Sequence, residues 1–454
     1  MTADDGAVEE LAAFAAALEI GNLPVRVVEK ARACLLYGAS VGIAATPAPQ
    51  PALAVRAGLQ AGPSMATRFL DGAGCDEEEA AFANAVLFHA RCQEDAHPAG
   101  HIGAVVLPAA LATAEAVGAS GADLIAGVVA GYEVGLRIGR DHAVDLSRRG
   151  FRTTSAYGVF AAAAAGARLR RLPAAAFANA LALAASMASG LREFVEAGSE
   201  EFAYQAGVAA RNGLLAARLA AAGATGSASA LTGAAGFFAA FGGSGRFADR
   251  LTDGLGSVFE MEAVAFKPWP VCQFHRAIIA GLLDMRARLG GAQTELIEIR
   301  MHPSEADFWG VRFTGPFQRF PQAFMSAPFC AAVAWAHGEV GFAAMHVFDD
   351  DAVLDLIGRV RVVADESRPR YEPQLCVVLA NGDEASWDAT TSGTDFRLNW
   401  DAAVRFSKAL CAEARVPGPL AAGLIEAAAS IDTAVDARAL TGAIRDAVRA
   451  ATAR

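Results

Sequence analysis

The densest polar stretch of the chain runs His89-Ala-Arg-Cys-Gln-Glu-Asp-Ala-His-Pro-Ala-Gly-His101, in otherwise apolar surroundings. Imidazole titrates near neutral pH, so His101 is suited to take a proton from carbon beside a carbonyl or carboxylate. His97 and His101, with Glu94 and Asp95 just before them, also have the donor types for a hard or borderline cation. Pro98, Gly100 and Gly103 make the segment a loop, however, so helical geometry cannot be assumed for the two imidazoles and metal is disfavoured. A plainer alternative stays open, in which an acidic helix end is followed by a surface histidine bonded to a carbonyl.

Other chemistry-bearing patterns fail on context. The chain has no phosphate-loop G-x-x-x-x-G-K-[ST], no G-x-G-x-x-G after a strand and no H-E-x-x-H. Gly38-Ala-Ser40-Val-Gly42 matches the nucleophile elbow G-x-S-x-G, but that serine must follow a strand and Ala31–Tyr37 reads as helix. Packing glycines on a helix explain it better.

The elements that must hold the polar stretch are helices. One ends at His89, and the next begins near Val105. Leu23-Pro24 opens an earlier helix, and others are predicted at about 121–139, 153–170, 173–188 and 203–222, with Ser120 as a start signal. Gly242-Gly243-Ser-Gly245 predicts a turn. After about residue 260 the texture changes. Ile297, Ile299 and Met301 alternate with polar residues as in a half-buried strand, and Val360–Ala364 predicts another. Residues 375–380 and 384–387 flank Asn381-Gly382-Asp383 as a hairpin. Helical patterning returns from Trp400. The expected class is mainly α. A large helical domain (1–266 and 396–454) would be interrupted by a smaller α+β domain at 267–395.

Bulk composition narrows the function. With 454 residues and 54% apolar content a large core is possible, and the abundance of alanine leans to helix. A net charge of −11, with only the short basic groups Arg148-Arg149 and Arg168–Arg171, argues against nucleic acid. The best membrane-span candidate, 117–136, carries Asp123 and Glu133 and reads better as a buried helix. The acidic start lacks a signal peptide's basic region, and seven cysteines without C-x-x-C read as reduced thiols. The expectation is a cytoplasmic protein.

Ala81-Phe-Ala-Asn84-Ala-Val-Leu-Phe-His89, followed by an acidic pair and His97-Pro98, resembles the MmgE/PrpD motif A-x-x-N-x-x-x-x-H-x-x-D-x-D-D-T-x-x-H-P. Gly131-Tyr-Glu133-Val with Arg137, Arg149-Gly150-Phe151, Ala209-Ala-Arg-Asn212-Gly213 and Phe266-Lys267-Pro-Trp-Pro270-Val-Cys272 follow in the family's order. The resemblance implies a helical domain with an α+β lid and a pocket between them. It also implies a homodimer, and no metal or organic cofactor. Activities in the family include 2-methylcitrate dehydratase, cis-aconitate decarboxylase and iminodisuccinate epimerase, which share proton movement beside carboxylates.

Carried across residue by residue, the resemblance makes His101 the general base and Lys267 an anchor for a substrate carboxylate or an enolate-like charge. The plainer reading of Lys267 is a surface lysine. Glu94 and Asp95 keep the acidic pair, but an aspartate of the motif falls on Cys92 and its threonine on Ala96. Arg152 stands where a histidine is usual. It would hold a carboxylate with two parallel bonds, or form a structural ion pair. Phe202 and Phe329 fall on a lysine and a tyrosine of decarboxylase-type members. Cys92 reads as a packing thiol or a weak nucleophile, Cys272 and His275 as pocket-lining residues, and Glu133 with Arg137 as a helix pair.

The expected function is a cofactor-independent lyase or isomerase of dehydratase or epimerase type. Its small-molecule substrate would be a carboxylic acid or carbonyl compound, less polar than citrate, since Phe202, Phe329 and Ala96 remove polar groups. Two alternatives stand beside it: rearrangement or cyclisation of an apolar secondary-metabolite intermediate, and a non-catalytic ligand-binding relative.

Overall fold

Capping chemistry sets where the site-bearing helices begin. Asp76 accepts a hydrogen bond from the Glu78 amide at 3.1 Å, and Glu77, Glu78 and Glu79 place negative charge on the first turn of the Glu77–His89 helix, where the helix dipole favours it. Ser120 accepts from the Asp123 amide at 3.1 Å and so starts the Gly121–Gly139 helix at the expected residue. Pro24 precedes Val25–Ala44, where its missing N–H removes no helical bond. The computed structural model describes residues 6–58, 65–243, 250–397 and 399–453. It is mainly helical, with two small sheets among those residues.

Chain contacts divide it into two units. The first comprises Met1–Arg192, Glu201–Phe266 and Arg397–Arg454. Its centre is built from Gly121–Gly139, Thr153–Leu169 and Glu201–Ala221, packed with Glu77–His89 and Gly103–Val117. Small residues let these backbones approach. A methyl group on Gly131 would lie 2.2 Å from Val106 Cγ2 and 2.8 Å from the Ala161 carbonyl oxygen. The 117–136 stretch thus contributes to a central buried helix, and no helix among the described residues is long and apolar enough to cross a membrane. Within it Glu133 and Arg137 pair at 3.1 Å, both buried. Arg137 also donates to the carbonyls of Leu251, Asp253 and Val258. Ser40 lies inside a helix, donating to the Leu36 carbonyl with Ser407 Oγ 2.8 Å away, while methyls on Gly38 and Gly42 would meet Leu107 and Phe88 at 2.6 Å. These are packing glycines, not an elbow. A short ladder of β1 (Ala66–Arg68) and β2 (Ala73–Cys75) completes this unit's sheet content among the described residues.

The second unit holds Lys267–Phe396 with the short Glu193–Glu200 segment, whose Val195 packs near Gly310 and whose Gly198 closely faces Gln322. Its sheet runs β4 (Val360–Ala364), β3 (Thr294–Met301), β5 (Gln374–Leu379), β6 (Glu384–Asp388), with β3 and β4 parallel and the other pairs antiparallel. Ile297, Ile299 and Met301 are buried, as the alternation predicts. The β5–β6 turn has Gly382 at φ 86°, a left-handed conformation that suits glycine, and Asn381 accepts from the Asp383 amide. The Arg276–Leu289 helix covers the sheet with Gly281 against Leu375 and Trp387.

Of the glycine turn, Gly242 closes the Phe237–Gly242 helix and Gly243 caps it at φ 80°; Ser244 and Gly245, like the acidic start Met1–Asp5, lie outside the described residues. Arg148 closes a short helix, Ala143–Arg148. All seven cysteines are free thiols, six of them buried.

Candidate functional site

The polar stretch is a buried loop. After the Glu77–His89 helix the chain turns through Cys92 at φ 52°, a left-handed conformation unusual for a residue with a side chain. Residues 89–99, apart from the exposed Pro98, are buried. The Glu94 and Asp95 side chains are thus buried. Backbone bonds pin the loop. Ala96 and Ala265 exchange N–H···O bonds of 2.8 Å, His97 and Gly100 bond each other, and the Tyr37 hydroxyl donates to the Gln93 carbonyl at 2.6 Å.

Four side chains of the first unit meet there. His101 Nδ1 lies 2.9 Å from the Asp95 carbonyl oxygen and 3.4 Å from Glu94 Oε1. A carbonyl only accepts, so Nδ1 carries the hydrogen and the lone pair sits on Nε2. The His101 amide donates to Thr154 Oγ1 at 3.2 Å, and its ring keeps 16% exposure while Glu94 keeps 2%. The other oxygen of Glu94, Oε2, is 3.1 Å from Nδ1 of His89, whose ring is wholly buried and centred 6.2 Å from that of His101.

Arg152 closes the group from the far side of His89. It precedes the Thr153–Leu169 helix, and its guanidinium donates to His89 Nε2, to the Phe202 carbonyl and to Gln205 Oε1 at 3.3 Å. Burial pulls Arg152 down to about 10, against the negative charges of Cys92, Glu94 and Glu201, which leaves it a cation at neutral pH. These donors engage groups of the protein itself. Phe202 covers the contact: its ring is 5.4 Å from that of His89 and 5.8 Å from the Arg152 Cζ.

Other expected residues face different ways. Asp95 accepts from the Gly103 amide at 3.1 Å and from the Tyr132 hydroxyl, so both its oxygens tie the loop to the next two helices. Burial raises it to about 6. His97 accepts at Nδ1 from the Ala99 amide, and its Nε2 is 3.7 Å from Glu260; burial drives it down to about 4 and keeps it neutral. Ala96 contributes backbone alone to the Ala265 bridge. Cys92 is buried one turn beyond His89, with its amide bonded to the His89 carbonyl.

In the second unit Lys267 is fully buried rather than a surface lysine. Cys272, also buried, bonds its amide to the Phe324 carbonyl, and burial pushes its thiol to about 11, unfavourable for a thiolate. His275 precedes the Arg276–Leu289 helix, with Nε2 2.9 Å from the Met325 carbonyl, and burial lowers it to about 4. Phe329 packs on Phe317 with ring centres 4.7 Å apart. Among the described residues no group of three or more His, Cys, Asp or Glu side chains is arranged to hold a metal ion.

Sequence reasoning passed over His89, which opens the polar stretch and closes the Glu77–His89 helix. Gln205 and Tyr132 were also missed, because their partners lie 53 and 37 positions away.

Comparison with known proteins agrees with this framework. Residues 9–249 match the model of the MmgE/PrpD N-terminal domain and residues 269–386 that of the C-terminal domain. The cis-aconitate decarboxylase of Aspergillus terreus is 30% identical over 222 residues, 47% of this chain and 45% of that protein. The cis-aconitate decarboxylase-like protein oryM of Aspergillus oryzae is 29% identical over 230 residues, 48% of each chain. The match thus spans about half the length of these relatives. With both domain models matched in order along it, the chain belongs to the MmgE/PrpD family, as a divergent member.

Proposed function

We propose that this chain is a lyase or isomerase that removes a proton from carbon beside a carbonyl or carboxylate, with His101 as the base and no organic cofactor. The observation that carries the reading is the state of His101. Its Nδ1 hydrogen is held by the Asp95 carbonyl, a carboxylate stands 3.4 Å away, and its ring reaches solvent from a buried loop. A carboxylate beside an imidazole favours the imidazolium that forms when the base takes its proton. The MmgE/PrpD relatives named above carry decarboxylase names, which suits a lyase-type chemistry at carbon next to a carboxylate.

Lys267 is the anchor for the enolate-like charge in this reading, since a buried ammonium is a strong electrostatic partner for an anion. Phe202, Phe329 and Ala96 offer no polar group to a third carboxylate, so the substrate is less polar than a tricarboxylate. Dehydration or epimerisation of a carboxylic acid fits best.

The test is exchange in heavy water. Wild-type protein and His101→Ala meet a panel of acids from citrate-like to bulky apolar, with deuterium incorporation read by mass spectrometry. The expected outcome is exchange with one acid class that falls by about 100-fold or more in the variant, the scale of a lost general base. Exchange that survives His101→Ala would contradict the assignment.

A further inference from the structure

We propose that His89 is a positioning residue, locked by Arg152 into its Nδ1–H tautomer so that it holds the Glu94 carboxylate against His101. The proposal rests on the reading of His101 as the base.

Guanidinium has donors and no acceptor, so its contact with Nε2 of His89 requires a lone pair on that nitrogen. The ring hydrogen then sits on Nδ1, 3.1 Å from Glu94 Oε2. His101 also carries its hydrogen on Nδ1, bonded to the Asp95 carbonyl, with Glu94 Oε1 3.4 Å from that nitrogen. One carboxylate therefore lies between the two imidazoles, with one oxygen near each Nδ1. A carboxylate on a loop would rotate about its side-chain torsions if it were approached from one side alone; imidazoles on two elements bracket it.

The asymmetry between the imidazoles is the second part. His89 cannot gain a proton without losing the Arg152 contact and setting two cations face to face in a buried place. The negative charge of Glu94 is thereby reserved for His101 and is not titrated away by the nearer histidine. The charged and titratable groups around His89 include Arg152, Glu94, His101 and Cys92, with Glu201 acting through its field on Arg152. Phe202 covers the remaining face edge-on. A solvent-shielded donor contact of this kind is hard to exchange for water.

Long-range 1H–15N spectra of histidine-labelled full-length protein test the proposal without any substrate, and peaks are assigned with His89→Asn and His101→Asn. The expected result is that His89 stays neutral and in the Nδ1–H form from about pH 6 to 8, the range in which an ordinary imidazole titrates. In Arg152→Met it should begin to titrate or shift toward Nε2–H, whereas Arg152→Lys, which keeps a cationic donor, should restore much of the Nδ1–H form. The heavy-water exchange rate should fall by about 10-fold in Arg152→Met with KM little changed, the scale of losing an outer partner of a functional histidine. A wild-type His89 found in the Nε2–H form, or titrating near neutral pH, would overturn the proposal even if Arg152→Met failed to fold. If His101-dependent exchange persisted beside that result, the base assignment would survive and the positioning role alone would be lost.

Discussion

The Glu201–Ala221 helix packs on both Glu77–His89 and Thr153–Leu169; the three carry charged groups at both ends, and the two ends handle charge differently. At one end lie Asp76, Glu77 and Glu78 with Arg170 and Arg218. Arg170 pairs with Glu77, and Arg218 reaches Glu78 at 2.5 Å, Asp76 at 3.4 Å and Glu77 at 3.7 Å. At the other end lie His89, Arg152 and Phe202, with Glu94 and His101 brought in by the loop. The first end neutralises arginine directly with carboxylate, which is a device for stability. The second interposes a histidine between arginine and carboxylate, so the carboxylate charge remains available to a second histidine. Between the ends Gly207 and Gly213 admit Phe82 and the Val159 carbonyl, where a methyl group would come within 2.8 Å.

That contrast can be broken most sharply at the carboxylate-rich end. Glu77 keeps only 3% of its side-chain exposure, so Arg170→Met would leave a buried carboxylate short of its main cation. The expected cost is about 3–5 kcal/mol, the scale for breaking one side of a buried pair, read by urea unfolding. The exchange rate of the protein that remains folded should not change. A proportional loss of exchange rate would mean that the two ends are coupled and the contrast is false.

A smaller effect sharpens it. Burial first, then the hydrogen bond to Asp76 and the neighbouring carboxylates, raise Glu78 from 4.5 to about 7, while Asp76 is lowered by the same hydrogen bond. Glu77, Arg170 and Arg218 complete its charged surroundings. Across that range the folded chain keeps a proton that the unfolded chain has released, so this group's contribution makes stability fall as pH rises from 4.5 to about 7. Glu78→Gln should flatten that part of the Tm-against-pH curve. An unchanged curve would show that Glu78 ionises normally.

Much of the fold was legible because its signals are local. Ser120 marks its helix start, Asn381-Gly382 marks its hairpin, and the alternation through Ile297, Ile299 and Met301 marks a strand with one buried face. The short Glu193–Glu200 segment was not, since its membership of the second unit depends on Val195 and Gly198 meeting residues more than a hundred positions later. In the candidate site, the loop and His101 were legible from polarity and motif. The aim of each side chain was not, because Cys92 at positive φ redirects the chain and no periodicity governs a loop. Asp95 therefore turns to Gly103 and Tyr132, and His97 toward Glu260. Arg152 and Phe202, two positions that depart from the family pattern, touch each other across 50 residues of sequence, which no single-position comparison could register.

The central claim is that His101 is a base whose charge state is set by Glu94, and the pH dependence of deuterium exchange tests it most directly. In Glu94→Gln the imidazolium loses its neighbouring negative charge, so the acid limb of the profile should move to lower pH, by about one unit or more as expected for an opposite charge at this range. An acid limb that stays where it is in Glu94→Gln, or exchange that persists in His101→Gln, would contradict the account.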